Sequence, residues 1–223
     1  MKVYAVIAAY NEAEMISLVV NEVKGLVDEV VVVDDGSRDQ TGELAAQAGA
    51  TVLRHLINRG QGAALQTGIV WALDQGAEII VTFDADGQFA AEEISGVVAP
   101  LIAGRADVVL GSRFLNQSRE MPAGKFLLLR LATVITNLYT GLKLSDIHNG
   151  FRALSRVAAE KIKIRQDGMA HASEILEQIR KHKLNYLEVP VTVKYTEYSK
   201  RKGQKISNSL RIVWDLIISR ISQ

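Results

Sequence analysis

The sequence predicts an α/β protein whose mostly parallel central sheet is flanked by helices on both faces. Three observations carry that expectation. Short runs rich in Val and Ile alternate with helical patterns through the first half of the chain. The runs are near-continuously apolar, as strands covered on both faces are. Polar clusters fall at their carboxyl ends, where open parallel sheets take their ligands. With 223 residues, 48% of them hydrophobic, the chain can bury one sizeable core and need not form two independent domains.

In chain order, strands are expected over Val3 to Ala9, Glu29 to Val33, Ala50 to Leu53, Glu78 to Phe83 and Asp107 to Leu110. Helices are expected between them, near Glu12 to Lys24, Thr41 to Ala48, Ala63 to Leu73 and Ala91 to Ile102. Beyond Arg113 the rhythm changes. Lys125 to Leu142 reads as a helix apolar on most sides, Phe151 to Leu154 as a strand, Ala172 to His182 as a helix, and Tyr186 to Lys194 as a strand broken by Pro190. Ile206, Leu210, Val213, Ile217 and Ile221 recur at helical spacing, with Asn208, Arg211, Asp215 and Ser219 opposite, so 206–221 is expected to be an amphipathic C-terminal helix. The organisation expected is one α/β domain over 1–195 followed by a basic loop and helix over 196–223.

The net charge of +1 argues against a nucleic-acid binder, which needs excess Lys and Arg to displace counterions. That sum hides an asymmetry. From Lys194 onward seven basic residues face two acidic ones, leaving the rest of the chain at −4, so the C-terminal segment is the place to look for an anionic partner. The absence of cysteine excludes a disulfide framework and fits a reducing compartment. The apolar start is too short for a signal peptide. The uncharged, mostly apolar run Leu131 to Leu142 has 12 residues where crossing a membrane takes about 20.

The most informative stretch is Val81-Thr-Phe-Asp84-Ala-Asp86-Gly-Gln88. Side chains two apart on an extended chain leave on one face, so Asp84 and Asp86 are directed into one small volume. Like charges about 4 Å apart repel by roughly 4 kcal/mol at an effective dielectric near 20, which favours a divalent ion between them. A solvated Asp-Gly turn is the other reading. Asp34 and Asp35 close a strand before Gly36-Ser37; one carboxylate can reach ribose or base, or the segment can be a turn with a helix cap. Glu12 has the same two readings, because an acid in a helix's first turn is favoured by the dipole alone. Arg113 can neutralise a phosphate or form a structural ion pair. Gly60-Gln-Gly62-Ala-Ala-Leu65 lacks a third glycine and does not follow the first strand, so it is not a dinucleotide fingerprint. There is no Gly-x-x-x-x-Gly-Lys loop, and Phe89 and Ser95 stand where an EF-hand from Asp84 needs Gly and Glu. The four histidines lack metal-site spacing, and His148 is notable only for lying in a polar run, 145–152.

Taken together, Ala9-Tyr10-Asn11-Glu12, Val33-Asp34-Asp35-Gly36-Ser37-x-Asp39-x-Thr41, Asn58-x-Gly60-x-Gly62, Asp84-Ala-Asp86-Gly-Gln88, Gly111-Ser-Arg113-Phe and the run Asp146 to Arg152 resemble family-two glycosyltransferases. The order of these motifs is most similar to the dolichol-phosphate mannose synthase branch and its bacterial polyprenyl-phosphate relatives. The resemblance implies a GT-A fold and inverting transfer of a sugar from a nucleotide-sugar donor, UDP- or GDP-linked. By matching position it implies that Ala8, Tyr10, Glu12, Val33 and Asp35 line the nucleoside site, with Asp84 and Ala85 near the ribose and sugar. Asp86 and Gln88 would hold Mg2+ or Mn2+, Arg113 would meet a phosphate, and Asp146 would face the reaction centre supported by Arg152. Two departures stand out. Ala8-Ala9 replaces a proline-containing strand end, and the loop after Glu188-Val-Pro190 differs from the Arg-x-x-Gly-x-Ser-Lys common in the branch, so Lys200, Lys202 and Lys205 are nominated only collectively as phosphate-binding.

A lipid phosphate is already largely ionised at neutral pH, with a second pKa of about 6, whereas a sugar hydroxyl needs a base. The basic tail and the amphipathic end around Trp214 favour a polyprenyl phosphate acceptor and a peripheral position at the cytoplasmic face of the membrane, by surface binding or through a separate membrane protein. The same apolar faces can instead pack on the protein or on a second copy in a homo-oligomer. A hydroxyl acceptor in surface polysaccharide synthesis and a nucleotide-binding module without activity are the alternatives. A nucleotidyltransferase would want a basic glycine-rich loop after the first strand, and an aspartate-nucleophile phosphatase a hydroxyl residue where Gln88 stands.

Overall fold

The computed structural model describes residues 1–115, 129–131, 133–134, 136–138, 141–147, 149–194 and 198. Its strands are β1 (Val3–Ala9), β2 (Glu29–Asp34), β3 (Thr51–Arg54), β4 (Ile79–Asp84), β5 (Val108–Ser112), β6 (Arg152–Ser155) and β7 (Tyr186–Pro190). The helices are α1 (Ile16–Val23), α2 (Thr41–Gln47), α3 (Gln61–Asp74), α4 (Ile94–Ile102, entered through a 3-10 turn at Ala91–Glu93), α5 (Arg156–Lys161) and α6 (His171–Lys181). Residues 129–131, 133–134 and 136–138 are helical, within the apolar helix expected over 125–142. Lys200, Lys202, Lys205, His148, the 206–221 helix and the 195/196 boundary lie outside the described residues.

The strands form one sheet in the order β3-β2-β1-β4-β6-β5-β7. All neighbours are parallel except β6, which runs antiparallel between β4 and β5. Alternate residues of each strand feed two cores, as a pleated strand requires. Ala5, Ile7, Val30 and Val32 pack under α1, α2 and α4, together with Phe83, Phe89 and Phe151, whose rings meet edge-on or tilted at 5.1–5.6 Å. Tyr4, Val6 and Val31 pack under α3, α5 and α6. Pro190 ends the edge strand β7, where a missing N–H costs no ladder bond.

Two expected boundaries move for local reasons. The helix near Glu12 begins at Ile16 instead, because Asn11 takes a left-handed φ of 54° and the Glu12 carbonyl accepts from the Met15 and Ile16 amides in a turn. Glu12 thus stands in the turn that leads into the helix, and its acid remains beside the helix N-terminus. Helix α5 was not expected; its signal is Ser155, whose Oγ accepts from the Ala158 amide as an N-cap at 3.2 Å.

The register of the parallel strands brings their ends level: Ala9 pairs with Asp34 and Ala8 with Asp84. Beside that edge, α3 begins at glycines that admit a neighbouring segment. The Gly62 amide donates to the Asp167 carbonyl at 2.8 Å, and a side chain at Gly62 would stand 2.0 Å from the Gln166 carbonyl oxygen. The Gly60-x-Gly62 pattern thus serves main-chain packing against 166–168, and a backbone carbonyl, not a ligand, caps the helix. His171 opens α6 at the same place. It is buried, its Nδ1–H donates to the Gly168 carbonyl at 2.9 Å, and burial followed by the charge of Arg152 lowers its pKa from 6.5 to about 4.

Gly62→Ala is expected to destabilise the fold by about 1–3 kcal/mol or more in urea unfolding. By contrast, Gly96→Ala, with nothing within 4 Å of the new methyl on an exposed helix face, is expected to stabilise it by about 0.5–1 kcal/mol. Because the folded His171 resists a proton that the unfolded chain accepts, stability is full above pH 6.5 and falls as pH drops toward 4. At pH 5 the imidazole accounts for a loss of about 2 kcal/mol, at roughly 1.4 kcal/mol per pH unit. In urea titrations His171→Gln should lose this pH-dependent component; an unchanged slope contradicts the assignment.

Candidate functional site

The loops after β1 and β2 are stitched together by their own polar side chains. The Asn11 amide donates to Ser37 Oγ at 2.9 Å, and Asn11 Oδ1 accepts from the Arg38 amide at 2.8 Å. The Glu12 and Ala13 amides donate to Thr41 Oγ1 and Asp39 Oδ2, and the Thr41 hydroxyl donates to Asp39. Asp34 turns inward, accepting from the Ser37 amide at 2.9 Å with Arg54 Nε 3.3 Å from its other oxygen. Most of the Asp-Asp-Gly-Ser-x-Asp-x-Thr motif therefore builds the rim.

Asp35 is also buried, and three donors converge on it. His55 Nδ1 lies 2.7 Å from Oδ1, the Arg59 amide donates to Oδ1 at 2.9 Å, and the Gly60 amide to Oδ2 at 2.7 Å. Gly36, at φ 73°, lets residues 57–58 cross directly above it. Val33 is fully buried and offers only backbone, Ala8 sits beside it in register, and Tyr10 is exposed at the rim. From the far end of the chain, Tyr198 donates to Glu12 Oε2 at 2.5 Å. Burial, that bond and the charges of Glu12, Glu14 and Asp86 push its phenol well above the usual range.

At the tip of β4, Asp84 points into the site and Gln61 Nε2, from the first turn of α3, donates to its Oδ1 at 3.1 Å. Gly150 has no side chain to intervene: a Cβ there would lie 2.8 Å from Asp84 Oδ2. Burial first, then the negative charge of Asp86, raises the Asp84 pKa from 3.8 to about 7, against the lowering effects of Arg152, Arg113 and Gln61. Ala85 is buried between the two acids. Asp86 Oδ1 accepts from the Gln88 amide at 3.0 Å, and Gln88 Nε2 donates to the Lys194 carbonyl at 3.3 Å, which leaves its amide oxygen on the side away from that carbonyl.

Opposite stand two arginines and a third acid. Arg113 donates to Asp146 Oδ2 from both its backbone N, at 3.2 Å, and its Nε, at 2.6 Å; Asp146 is buried. Arg152 is buried at the start of β6, donating from Nε to the Asn149 carbonyl at 3.0 Å. Burial lowers its pKa from 12.5 to about 10, held up by Asp84 and Asp146, so it remains a cation at neutral pH.

No group of three or more His, Asp or Glu gathers for a metal among the described residues. Asp86 and the Gln88 amide oxygen, with Asp84 beside Asp86, nevertheless offer hard oxygen donors of the kind that would suit Mg2+ or Mn2+. Burial first and the neighbouring Asp86 second disfavour the charge on Asp84, and a cation beside the two acids would offset both. The residues present fit the ion.

The structure thus brings Ala8, Tyr10, Glu12, Val33, Asp35, Asp84, Ala85, Asp86, Gln88, Arg113 and Asp146 to one edge of the sheet. Gln61, His55, Tyr198 and Glu188 escaped sequence reasoning. Gln61 carried a signal, a polar residue between two glycines at a helix start; the others reach the site only through tertiary contacts.

A family model described as Glycosyl transferase family 2 matches residues 4–163. An uncharacterized protein of Methanocaldococcus jannaschii is 38% identical over 99% of this chain and 93% of its own. A UDP-N-acetylglucosamine–dolichyl-phosphate N-acetylglucosaminyltransferase of Methanococcus voltae is 33% identical over 99% of this chain and 97% of its own. A polyprenol monophosphomannose synthase of Mycolicibacterium smegmatis is 31% identical, covering 92% and 83%. Among solved structures, glucosyl-3-phosphoglycerate synthase from Mycobacterium tuberculosis in complex with Mn2+ and UDP-glucose superposes with a TM-score of 0.74 at 20% identity, covering 99% of this chain and 78% of that one, which is a likeness of GT-A fold. With a family match across most of its length and relatives this similar almost end to end, the chain belongs to glycosyl transferase family 2.

Proposed function

We propose that this chain is an inverting, metal-dependent glycosyltransferase that moves a sugar from a UDP- or GDP-sugar to a polyprenyl phosphate at a membrane surface. The observation that carries this reading is the opposition of Asp84 and Asp86 to Arg113, Asp146 and Arg152 across one sheet edge. The acceptor class is supported by relatives whose names specify dolichyl and polyprenol phosphates.

In this reading Tyr10, Glu12 and Asp35, with the backbone at Ala8 and Val33, hold the nucleoside, and Asp84 and Ala85 adjoin the ribose and sugar. Asp86 and Gln88 would hold Mg2+ or Mn2+, whose charge offsets that building on the leaving diphosphate. An acceptor phosphate oxygen attacks the anomeric carbon as the bond to the diphosphate oxygen breaks, inverting the centre. Arg113 steadies a phosphate, and Asp146, bonded to Arg113, sets its direction; an ionised lipid phosphate needs no proton removed. Lys200, Lys202 and Lys205, in the proposed 196–223 tail, draw the anionic headgroup in. No helix among the described residues is long and apolar enough to cross a membrane; the attachment we propose is peripheral, at the cytoplasmic face, with a separate membrane protein or a second copy as further contacts.

Incubation with membranes and a panel of radiolabelled UDP- and GDP-sugars should place label in the organic extract; label confined to polymer would support a hydroxyl acceptor instead. Asp86→Ala should lower turnover by at least about a hundredfold. Its melting temperature should stay within about 3 °C of the parent, since the substitution also relieves repulsion with Asp84. Loss of the fold, or retained turnover, contradicts the assigned role.

A further inference from the structure

We propose that Glu188 is a positioning residue for the reaction centre, fixing the loop that carries Asp146 and, through a chain of hydroxyls, the turn that carries Arg113. The proposal rests on the placement of Asp146 and Arg113 at the reaction centre.

Residues 143–147 belong to no helix or strand, so their amides need partners from elsewhere. Side chains supply one for each amide from 143 to 146. The Lys143 amide donates to Tyr186 Oη at 3.0 Å, and the Leu144 amide to Asn137 Oδ1 at 3.1 Å, while Asn137 Nδ2 returns a bond to the Leu144 carbonyl at 2.7 Å. The Ser145 amide is 2.9 Å from both Glu188 carboxylate oxygens, and the Asp146 amide donates to Glu188 Oε1 at 3.1 Å. Tyr186 and Glu188 are two apart on β7 and share a face, so the edge strand acts as a rail for the loop.

The hydroxyl bonds have only one consistent direction. Ser145 Oγ is 2.9 Å from Glu188 Oε1, and an ionised carboxylate only accepts, so the Ser145 proton points there. Ser112 Oγ, 2.6 Å from Ser145 Oγ, must then donate to it, and Ser112 Oγ in turn accepts from the Phe114 amide at 3.2 Å. Ser112 and Phe114 flank Arg113, whose two bonds to Asp146 Oδ2 close the circuit. Both partners of the Arg113–Asp146 pair therefore depend on one carboxylate that forms no salt bridge among the described residues. A glutamine there turns an NH2 toward donors and satisfies only part of the circuit.

The test combines turnover with a readout that needs no activity. Glu188→Gln is expected to lower kcat about tenfold and Glu188→Ala about a hundredfold, with donor KM changed less than about threefold. UDP binding with Mn2+ by titration calorimetry should be unchanged. In an Asp146→Asn background, Glu188→Ala should cost less than about threefold more, since residues acting as a unit are not additive. Amide hydrogen exchange at 145 and 146 should quicken at least about tenfold in Glu188→Gln while β1 and β4 keep their protection. A rise in donor KM at constant kcat, multiplicative losses with Asp146, or unchanged exchange at 145 and 146 each overturn the proposal. Parent protein that labels no acceptor overturns the transferase reading instead, and the exchange result still decides the anchoring.

Discussion

A buried cation between two acids is the constraint around which the site is built. Arg152 keeps its charge in the interior because Asp84 and Asp146 act on it, and its own charge lowers the Asp84 pKa against the larger raising effects of burial and Asp86. Neutralising either acid weakens what holds the charge of the buried Arg152. The one antiparallel strand of the sheet supplies that cation. The antiparallel β6, inserted between β4 and β5, carries Arg152 at its first residue, next to the tip of β4 and beneath the turn at Asn149-Gly150.

The rest of the edge follows from register. Parallel strands that finish level place Ala9, Asp34 and Asp84 in a row, and the loops beyond them have few residues with which to satisfy their amides. Short polar side chains do that work: Asn11, Ser37, Asp39 and Thr41 between the first two loops, and Tyr186, Asn137 and Glu188 beneath the loop of Asp146. Motif residues that look like ligands in the sequence thus divide into those that hold backbone and those that stand at the carboxyl end of the sheet with their carboxylates close together. Asp34 belongs to the first group. Asp35, receiving three hydrogen bonds from residues 55–60, ties the two together.

The parallel core was legible because buried strands write continuous Val and Ile runs, and all five of the early strands appear within a few residues of their expected bounds. Asp84 was legible as the end of an apolar run, whereas Asp86 lies in the turn beyond β4, so its nearness to Asp84 comes from that turn and not from the strand alternation expected. The direction of β6 was not, since antiparallel insertion depends on which neighbours leave a slot rather than on the Arg152-Ala-Leu-Ser155 sequence itself. Nor was the split role of the glycines at 60 and 62, which answers to a segment a hundred residues away. Glu188 stood in plain view in Glu-Val-Pro, yet nothing local distinguishes it from a solvated edge-strand acid; only the arrival of the 143–146 backbone does.

Anomalous diffraction from crystals soaked with Mn2+ and UDP or GDP addresses the central claim most directly. A manganese peak within coordination distance of Asp86 and Gln88, touching the nucleotide's diphosphate beside the tip of β4, is the result expected. A diphosphate bound away from that edge, with no metal between it and Asp86, would contradict it.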